Sequence, residues 1–327
     1  MYLAKNLSTD PYFNMAAEEY LLDCFKGDII LLWRNDKTVV VGKNQNTAEE
    51  VDASFVEENG IAVVRRLSGG GAVFHDLGNI NFTVIEAFQD ELFSNYDYFT
   101  KPVCQFLQTL GVEAELSGRN DLLLDGMKFC GNAQTRRSGK IMHHGCILFA
   151  ADVADLSGAL TPSKLKIESK SVKSVRSRIT NVASHLETKL TPEAFFDGLY
   201  DYFQASIEGI EEYRFTEEDK EAISRLADEK YRTWEWNFGS SPDFQGGNSK
   251  RFDFGIVDIR FCVKEGRLGD VKLYGDFFGI RDVEELEKAL KDAAYSRTGL
   301  AAALAEIPLE DYINGMTKED LTKLLLG

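Results

Sequence analysis

The sequence predicts an α+β protein with a mixed or antiparallel central sheet flanked by helices, followed by a small α+β C-terminal unit. Three observations carry that prediction. Strand-like and helix-like stretches do not alternate strictly, which disfavours a doubly wound parallel sheet. Asp125-Gly126 sits between two apolar runs, the strongest short signal for an antiparallel hairpin. Ser240 to Lys250, rich in Ser, Gly and Pro, is the best linker in a chain of 327 residues, a length that suggests two domains, 1–245 and 246–327.

In order, a short strand over residues 2–7 leads to Asp10-Pro11, a cap followed by proline at the first helical position, and a helix to about Phe25. The apolar runs 29–33 and 38–41 flank Arg34-Asn35-Asp36-Lys37, which reads as a hairpin turn. A polar loop, 42–46, precedes a short helix at 53–59. Strands follow at 61–64 and 80–85. Residues 95–110 show helical spacing of apolar positions and end at Gly111. Strands are expected at 112–116, 122–124, 127–134 and 141–150, the middle pair about the Asp-Gly turn. Thr191-Pro192 opens a helix to about Ile207, and Thr216 caps another to about Tyr231. Beyond the linker come two strands about Glu265-Gly266-Arg267 and helices near 283–293, 299–305 and 318–326.

The chain carries 53 acidic and 37 basic residues, a net charge of −16, which disfavours general nucleic-acid binding. No apolar run approaches the ~20 residues that span a bilayer. Five cysteines without a Cys-x-x-Cys pair read as free thiols of a reducing compartment, so a cytoplasmic protein is expected. His143-His144 does not read as a metal site, because neighbouring strand residues point to opposite faces.

The stretch Arg65-Arg66-Leu67-Ser68-Gly69-Gly70-Gly71-Ala72-Val73-Phe74-His75-Asp76-Leu77-Gly78-Asn79 is the organising centre. Three successive glycines are costly to order, and they make sense where backbone must approach a ligand. Successive N–H groups in such a loop suit anionic oxygens. Arginines supply a permanent charge and a planar fork for carboxylate or phosphate. Neither a Walker loop nor a Gly-x-Gly-x-x-Gly fingerprint is present.

This stretch resembles the lipoate-binding loop of the lipoate–protein ligase A family, and the resemblance implies a biotin/lipoyl ligase-like catalytic fold. Ser117-Gly118-Arg119-Asn120-Asp121, Gly126-Met127-Lys128, Gly131-Asn132-Ala133 and His143-His144-Gly145 fall in the family's order and spacing. Lys128 matches the family's essential lysine, which contacts both acyl and adenylate groups. A family arginine expected a few residues later falls on Thr135, with Arg136 one position on. The basic run Lys164, Lys166, Lys170, Lys173, Arg176 and Arg178 reads as a mobile serine-rich loop, and its last part resembles the family's adenylate-binding loop. Trp234 to Gly239 and Gly275-Asp276-Phe277-Phe278-Gly279 are similar to family stretches in the large and accessory domains.

The resemblance implies an ATP-dependent lipoate–protein ligase. Lipoate and ATP, with Mg²⁺, would give lipoyl-AMP, and the lipoyl group would pass to a lysine of a lipoyl domain of a 2-oxoacid dehydrogenase complex or of the glycine-cleavage H protein. Lys128 would be catalytic. Arg66, Gly71, Ala72, Val73, Phe74, Asn120, Asp121, Lys128, Arg176 and Arg178 would bind ATP or adenylate. Arg65, Ser68, Gly69, Gly70, His75 and Lys128 would bind lipoate. No dedicated metal cluster is expected; Mg²⁺ would arrive on ATP, with Asp121 assisting. No nucleic acid or membrane is an expected partner. Two rivals remain at this point. One is an ATP-independent octanoyl or lipoyl amidotransferase working through a cysteine thioester on Cys130 or Cys146. The other is a non-catalytic protein that binds lipoate or adenylate.

Overall fold

The computed structural model describes residues 1–117, 120–152, 159–160, 179–239 and 246–326. The run 164–178 and the linker residues 240–245 lie outside these. Fourteen strands are present among the described residues: β1 (Tyr2–Lys5), β2 (Ile29–Trp33), β3 (Thr38–Val41), β4 (Ala62–Arg65), β5 (Val73–His75), β6 (Asn79–Ala87), β7 (Glu115–Ser117), β8 (Asp121–Leu124), β9 (Met127–Arg137), β10 (Lys140–Leu148), β11 (Glu211–Tyr213), β12 (Gly246–Phe252), β13 (Gly255–Lys264) and β14 (Arg267–Gly275). An eight-stranded sheet has the order β11-β1-β2-β6-β10-β9-β8-β7. β1 runs parallel to both neighbours and the remaining pairs are antiparallel, so the expected mixed sheet is observed.

The β8–β9 hairpin turns at Asp125 and Gly126, both with positive φ, as a two-residue turn of this type requires. The other expected hairpin does not form. β2 belongs to the large sheet, whereas β3 lies between β4 and β5 in a separate three-stranded sheet. None of residues 34–37 has a positive φ. Asn35 is instead fully buried and bonded, so the chain passes from one sheet to the other through a polar anchor rather than reversing at the surface.

One face of the large sheet packs Leu32, Ile80, Phe82, Val84 and Ile147 against the helices Tyr96–Thr109 and Pro192–Ser206. The opposite face sets Ile29, Leu31, Trp33 and Met142 against the helix Pro11–Asp23. That helix starts as expected, with the Asp10 carboxylate accepting from the Tyr12 N–H and Pro11 at its first position. The helix opening at Thr216 carries a capping box, then widens into a π-helical segment at Ala227–Tyr231. A further core lies C-terminal, where a three-stranded sheet, β12-β13-β14, buries Val257, Ile259, Leu273 and Phe277 against four helices between Val283 and Leu326. It holds one strand more than expected, because residues 246–250 of the presumed linker pair with β13. No helix among the described residues is long and apolar enough to cross a membrane.

Candidate active site

A cavity of about 140 Å³ opens between the glycine stretch and the second face of the large sheet. That is roughly ten times the ~10–15 Å³ a single water needs, so there is room for an extended chain. Strand register builds its floor. Trp33 on β2 lies opposite Asn81 on β6, Asn81 opposite Cys146 on β10, and Cys146 opposite Gly131 on β9. Met15, Val40 and Val73 add apolar wall, and Gly70, Gly71 and Ala72 form the rim with Arg66.

Lys128 lines the cavity and is ion-paired to Asp121 at 2.7 Å. A β-carbon on Gly131 would stand 2.9 Å from the Lys128 Nζ, so this strand position leaves the ammonium its space. Asn120 shares the wall and donates to the Asn132 carbonyl at 2.7 Å. Beside Lys128, the Thr180 N–H donates to the Lys128 carbonyl at 2.9 Å, which ties the chain after the undescribed run to this strand.

The two arginines have different roles. Arg65 donates to the carbonyls of Gly42, Lys43, Gln45, Trp236 and Asn237 and to the Thr47 hydroxyl. It fastens the 42–47 loop to residues 236–237 and is not brought to the cavity. Arg66 does line it, but both hydrogens of one terminal nitrogen go to the carbonyls of Gly69 and Gly71. The buried guanidinium thus draws the glycine loop around itself. Burial pushes the pKa of each arginine down to about 10, so both stay charged at neutral pH.

Ser68, behind the rim, joins a buried relay. Arg66 Nε donates to Ser68 Oγ at 3.0 Å, Ser68 Oγ meets His144 Nε2 at 2.6 Å, and His144 Nδ1 meets Glu18 Oε1 at 2.9 Å. Thr83 donates to the same Glu18 oxygen, and Trp33 Nε1 to Thr83 Oγ1. The connectivity is that of a Ser-His-acid nucleophile, but Ser68 is 1% exposed and its oxygen already accepts from Arg66. The relay therefore fixes Arg66, and through it the loop. Gly69 packs behind the rim, where a β-carbon would stand 2.4 Å from the Phe277 carbonyl oxygen, and Gly70 has φ +91°, a conformation only glycine adopts freely.

Of the other expected residues, Val73 and His75 reach the cavity, whereas Phe74 points into a separate apolar cluster with Val39 and Val63. Arg176 and Arg178 lie outside the described residues. Arg136 stacks 3.6 Å above the Phe88 ring instead of reaching the cavity. Reading the sequence alone missed Trp33, Asn81, His144, Cys146 and Phe278 as wall residues. Polar residues alternating inside apolar strands, as in Asn79-Ile80-Asn81-Phe82-Thr83, were the available signal for two of the strands. Phe278 comes from the C-terminal unit, which is also tied here by Lys43–Asp282 at 2.7 Å and by Gly275 N–H to the Asn44 carbonyl at 2.6 Å.

Both nearby thiols are held protonated. Burial pushes the Cys146 thiol up to about 12, and burial and the neighbouring Cys146 raise Cys130 well above the usual thiol range.

The sequence pattern of the lipoyl protein ligase A/B catalytic domain matches residues 10–204, and that of the bacterial lipoate protein ligase C-terminus matches 241–325. A lipoate-protein ligase, LplJ, of Bacillus subtilis is 44% identical over 320 residues, covering 97% of each chain. In structure, LipL1 of P. falciparum in complex with lipoate superposes with a TM-score of 0.80 over 99% of each chain at 24% identity. A lipoate-protein ligase A bound with ATP gives 0.62 over 73% of this chain and 98% of its own, at 28% identity.

Proposed function

The chain belongs to the lipoate–protein ligase family, and from that premise we propose that it activates lipoate with ATP and transfers the lipoyl group to an acceptor lysine. The observation that carries the mechanism is Lys128 at the cavity, tethered by Asp121 at 2.7 Å beside a largely apolar channel. In the first half-reaction a lipoate carboxylate oxygen bonds to the α-phosphorus and pyrophosphate leaves. Two anions must approach, and the Lys128 ammonium, with the buried Arg66 guanidinium lining the same cavity, lowers their repulsion. In the second, the acceptor amine attacks the acyl carbonyl, AMP leaves, and charge gathering on the carbonyl oxygen is stabilised by the same ammonium. Neither step needs a thiol, which fits the protonated states of Cys130 and Cys146.

Magnesium enters this reading as part of the nucleotide substrate, held mainly by phosphates and water as is usual for that ion. Asp121, a single carboxylate beside the reacting groups, suits a supporting role. Arg176 and Arg178 are assigned to the adenylate by family resemblance. The acceptor is a lipoyl domain of a 2-oxoacid dehydrogenase complex or H protein. We assign the chain to two domains, 1–245 for catalysis and 246–327 as accessory. Five free cysteines favour a reducing compartment, the cytoplasm. Lipoate-dependent exchange of pyrophosphate into ATP tests the proposal. Exchange with release of lipoyl-AMP supports it, and acyl transfer without ATP would overturn it.

A further inference from the structure

Resting on the ligase reading, we propose that His185 is a positioning residue for Lys128: bridging Thr180 and Asp125, it fixes the bulged strand that turns the Lys128 ammonium toward the cavity. The run of β9 explains why such a fixture is needed. Side chains alternate along a regular strand, so residues 128 and 131 would face opposite sides. Both line the cavity. The alternation breaks at Phe129. β8 pairs Leu122 with Cys130 but Leu123 with Lys128, which leaves Phe129 as the extra residue of a bulge. Phe129 and Cys130, though neighbours, accordingly both sit in the core cluster. A bulge re-aims the side chain beside it, and it also interrupts the ladder that would hold that side chain steady.

On its other edge Lys128 lies beyond the reach of β10, whose last pair with β9 is Ile147 with Cys130. Residues 179–185 take over there. Ile179 bridges to Lys128 in the parallel sense, and the Thr180 N–H donates to the Lys128 carbonyl at 2.9 Å. The segment is itself anchored from behind. Asn181 and Ala151 exchange two hydrogen bonds of 3.0 Å each, the Ala183 N–H donates to the Phe149 carbonyl at 2.9 Å, and Val182 is fully buried.

His185 closes the circuit. Its Nε2 stands 2.8 Å from the Thr180 hydroxyl, and its Nδ1 stands 3.1 Å from Asp125 Oδ2. A carboxylate only accepts, so Nδ1 carries a proton, and in the neutral ring Nε2 then accepts from the Thr180 hydroxyl. Asp125 opens the turn between β8 and β9, with φ +49°, shortly before Lys128 in the chain. The ring therefore ties the turn on one side of Lys128 to the segment bonded to its carbonyl on the other. The connectivity is that of a nucleophile relay, yet none of the three residues lines the cavity, so the bridge acts on Lys128 through the main chain. Because the Asp125 side chain is 81% exposed, the bridge adds little to global stability, and its loss should be felt at Lys128 instead.

The test measures lipoate-dependent pyrophosphate exchange for His185→Ala, Thr180→Val and Thr180→Ser, the first two also on a Lys128→Ala background, with deuterium exchange at the Thr180 amide followed alongside. Thr180→Val keeps the shape and the N–H that meets Lys128 but loses the hydroxyl. It and His185→Ala are expected to lower kcat ~10-fold with the KM for lipoate nearly unchanged, since a small misplacement of a reacting group acts on the rate of the bound complex. Thr180→Ser, which restores the hydroxyl, should recover most of that rate. On Lys128→Ala neither substitution should lower the residual rate further, because the group they position is gone. An unchanged kcat, or the same fold loss with and without Lys128, overturns the proposal. If the wild type supports no exchange at all, the ligase reading fails, and the Thr180 amide decides the bridge by itself: faster deuterium exchange in His185→Ala upholds it, and an unchanged rate overturns it.

Discussion

The eight-stranded sheet has two faces, and adjacent histidines of β10 occupy one each. On the core face, His143 stacks 4.7 Å from Phe99, with Gln134 Nε2 at 3.1 Å on one ring nitrogen and Asn132 Oδ1 at 3.3 Å on the other. Every polar atom of that ring is satisfied inside the protein. On the cavity face, His144 is consumed by the Ser68–Glu18 relay, while His75 and Asn81 keep polar atoms with no partner. Burial alone does not distinguish the two faces. Completeness of hydrogen bonding does, since the ring that packs in the core is fully satisfied while two residues of the cavity lining keep orphaned polar atoms.

If the faces divide labour in this way, damage to each should be read by a different instrument. The largest effect expected is on the core face. Phe82→Ala removes a ring that is fully buried against the Tyr96–Thr109 side of the sheet and should cost about 3–5 kcal/mol of stability. Turnover per folded molecule, measured at low temperature after titrating active sites, should change little. A large loss of turnover at full folding would break the distinction.

The cavity face should respond in the opposite sense. Lys128→Ala is expected to leave the denaturation midpoint near wild type, since the side chain is about one-third exposed. Adenylation or transfer should fall by ~10²–10³, the usual effect of deleting a charged group that meets the reacting oxygen. Activity within a fewfold of wild type would reduce Lys128 to a solvated strand residue.

Much of this division was legible beforehand. The Asp125-Gly126 turn, the caps at Asp10, Thr191 and Thr216, the glycine stretch and Lys128 are local signals, set by backbone conformation within a few residues. The rest was not local. Asn35 looks like a turn residue until its amide is seen bonded to Asn14 and His75. Arg65 and Arg66 are indistinguishable in sequence, and only the folded 42–47 and 236–237 segments decide that Arg65 is structural. Phe278 reaches the cavity from more than two hundred positions after Gly70, a proximity no periodicity encodes.

A pH titration sharpens the comparison further. Burial holds His75 at about 3 and His143 well below the usual histidine value, so each is neutral in the fold where the unfolded chain would be protonated. Their contribution to stability is fully present above the unfolded value of ~6.5 and is lost as pH falls through the acid range. His143→Gln should remove one such share of the slope between pH 6 and 4 and leave adenylation at neutral pH intact. An unchanged slope would mean that His143 takes up a proton without unfolding.

The smallest effects are expected from the two thiols, one on each face. Cys130 belongs to the core cluster, and Cys146 lines the cavity, where Asn79 Nδ2 donates to its sulfur at 3.0 Å. Cys130→Ala should cost about 1 kcal/mol of stability, typical of a small buried truncation, with no change in exchange rate. Cys146→Ser keeps the size and an acceptor for Asn79, so stability should hold and lipoate affinity should shift only slightly. A thiol with its pKa pushed up to about 12 is almost wholly protonated at neutral pH, and only a thiolate attacks acyl donors readily. Mass spectrometry after incubation with acyl donor and no ATP should therefore find the wild-type protein unmodified. A thioester on Cys146, lost with turnover in Cys146→Ser, would move the chemistry from the lysine to the sulfur and make the cavity face that of an acyl-enzyme.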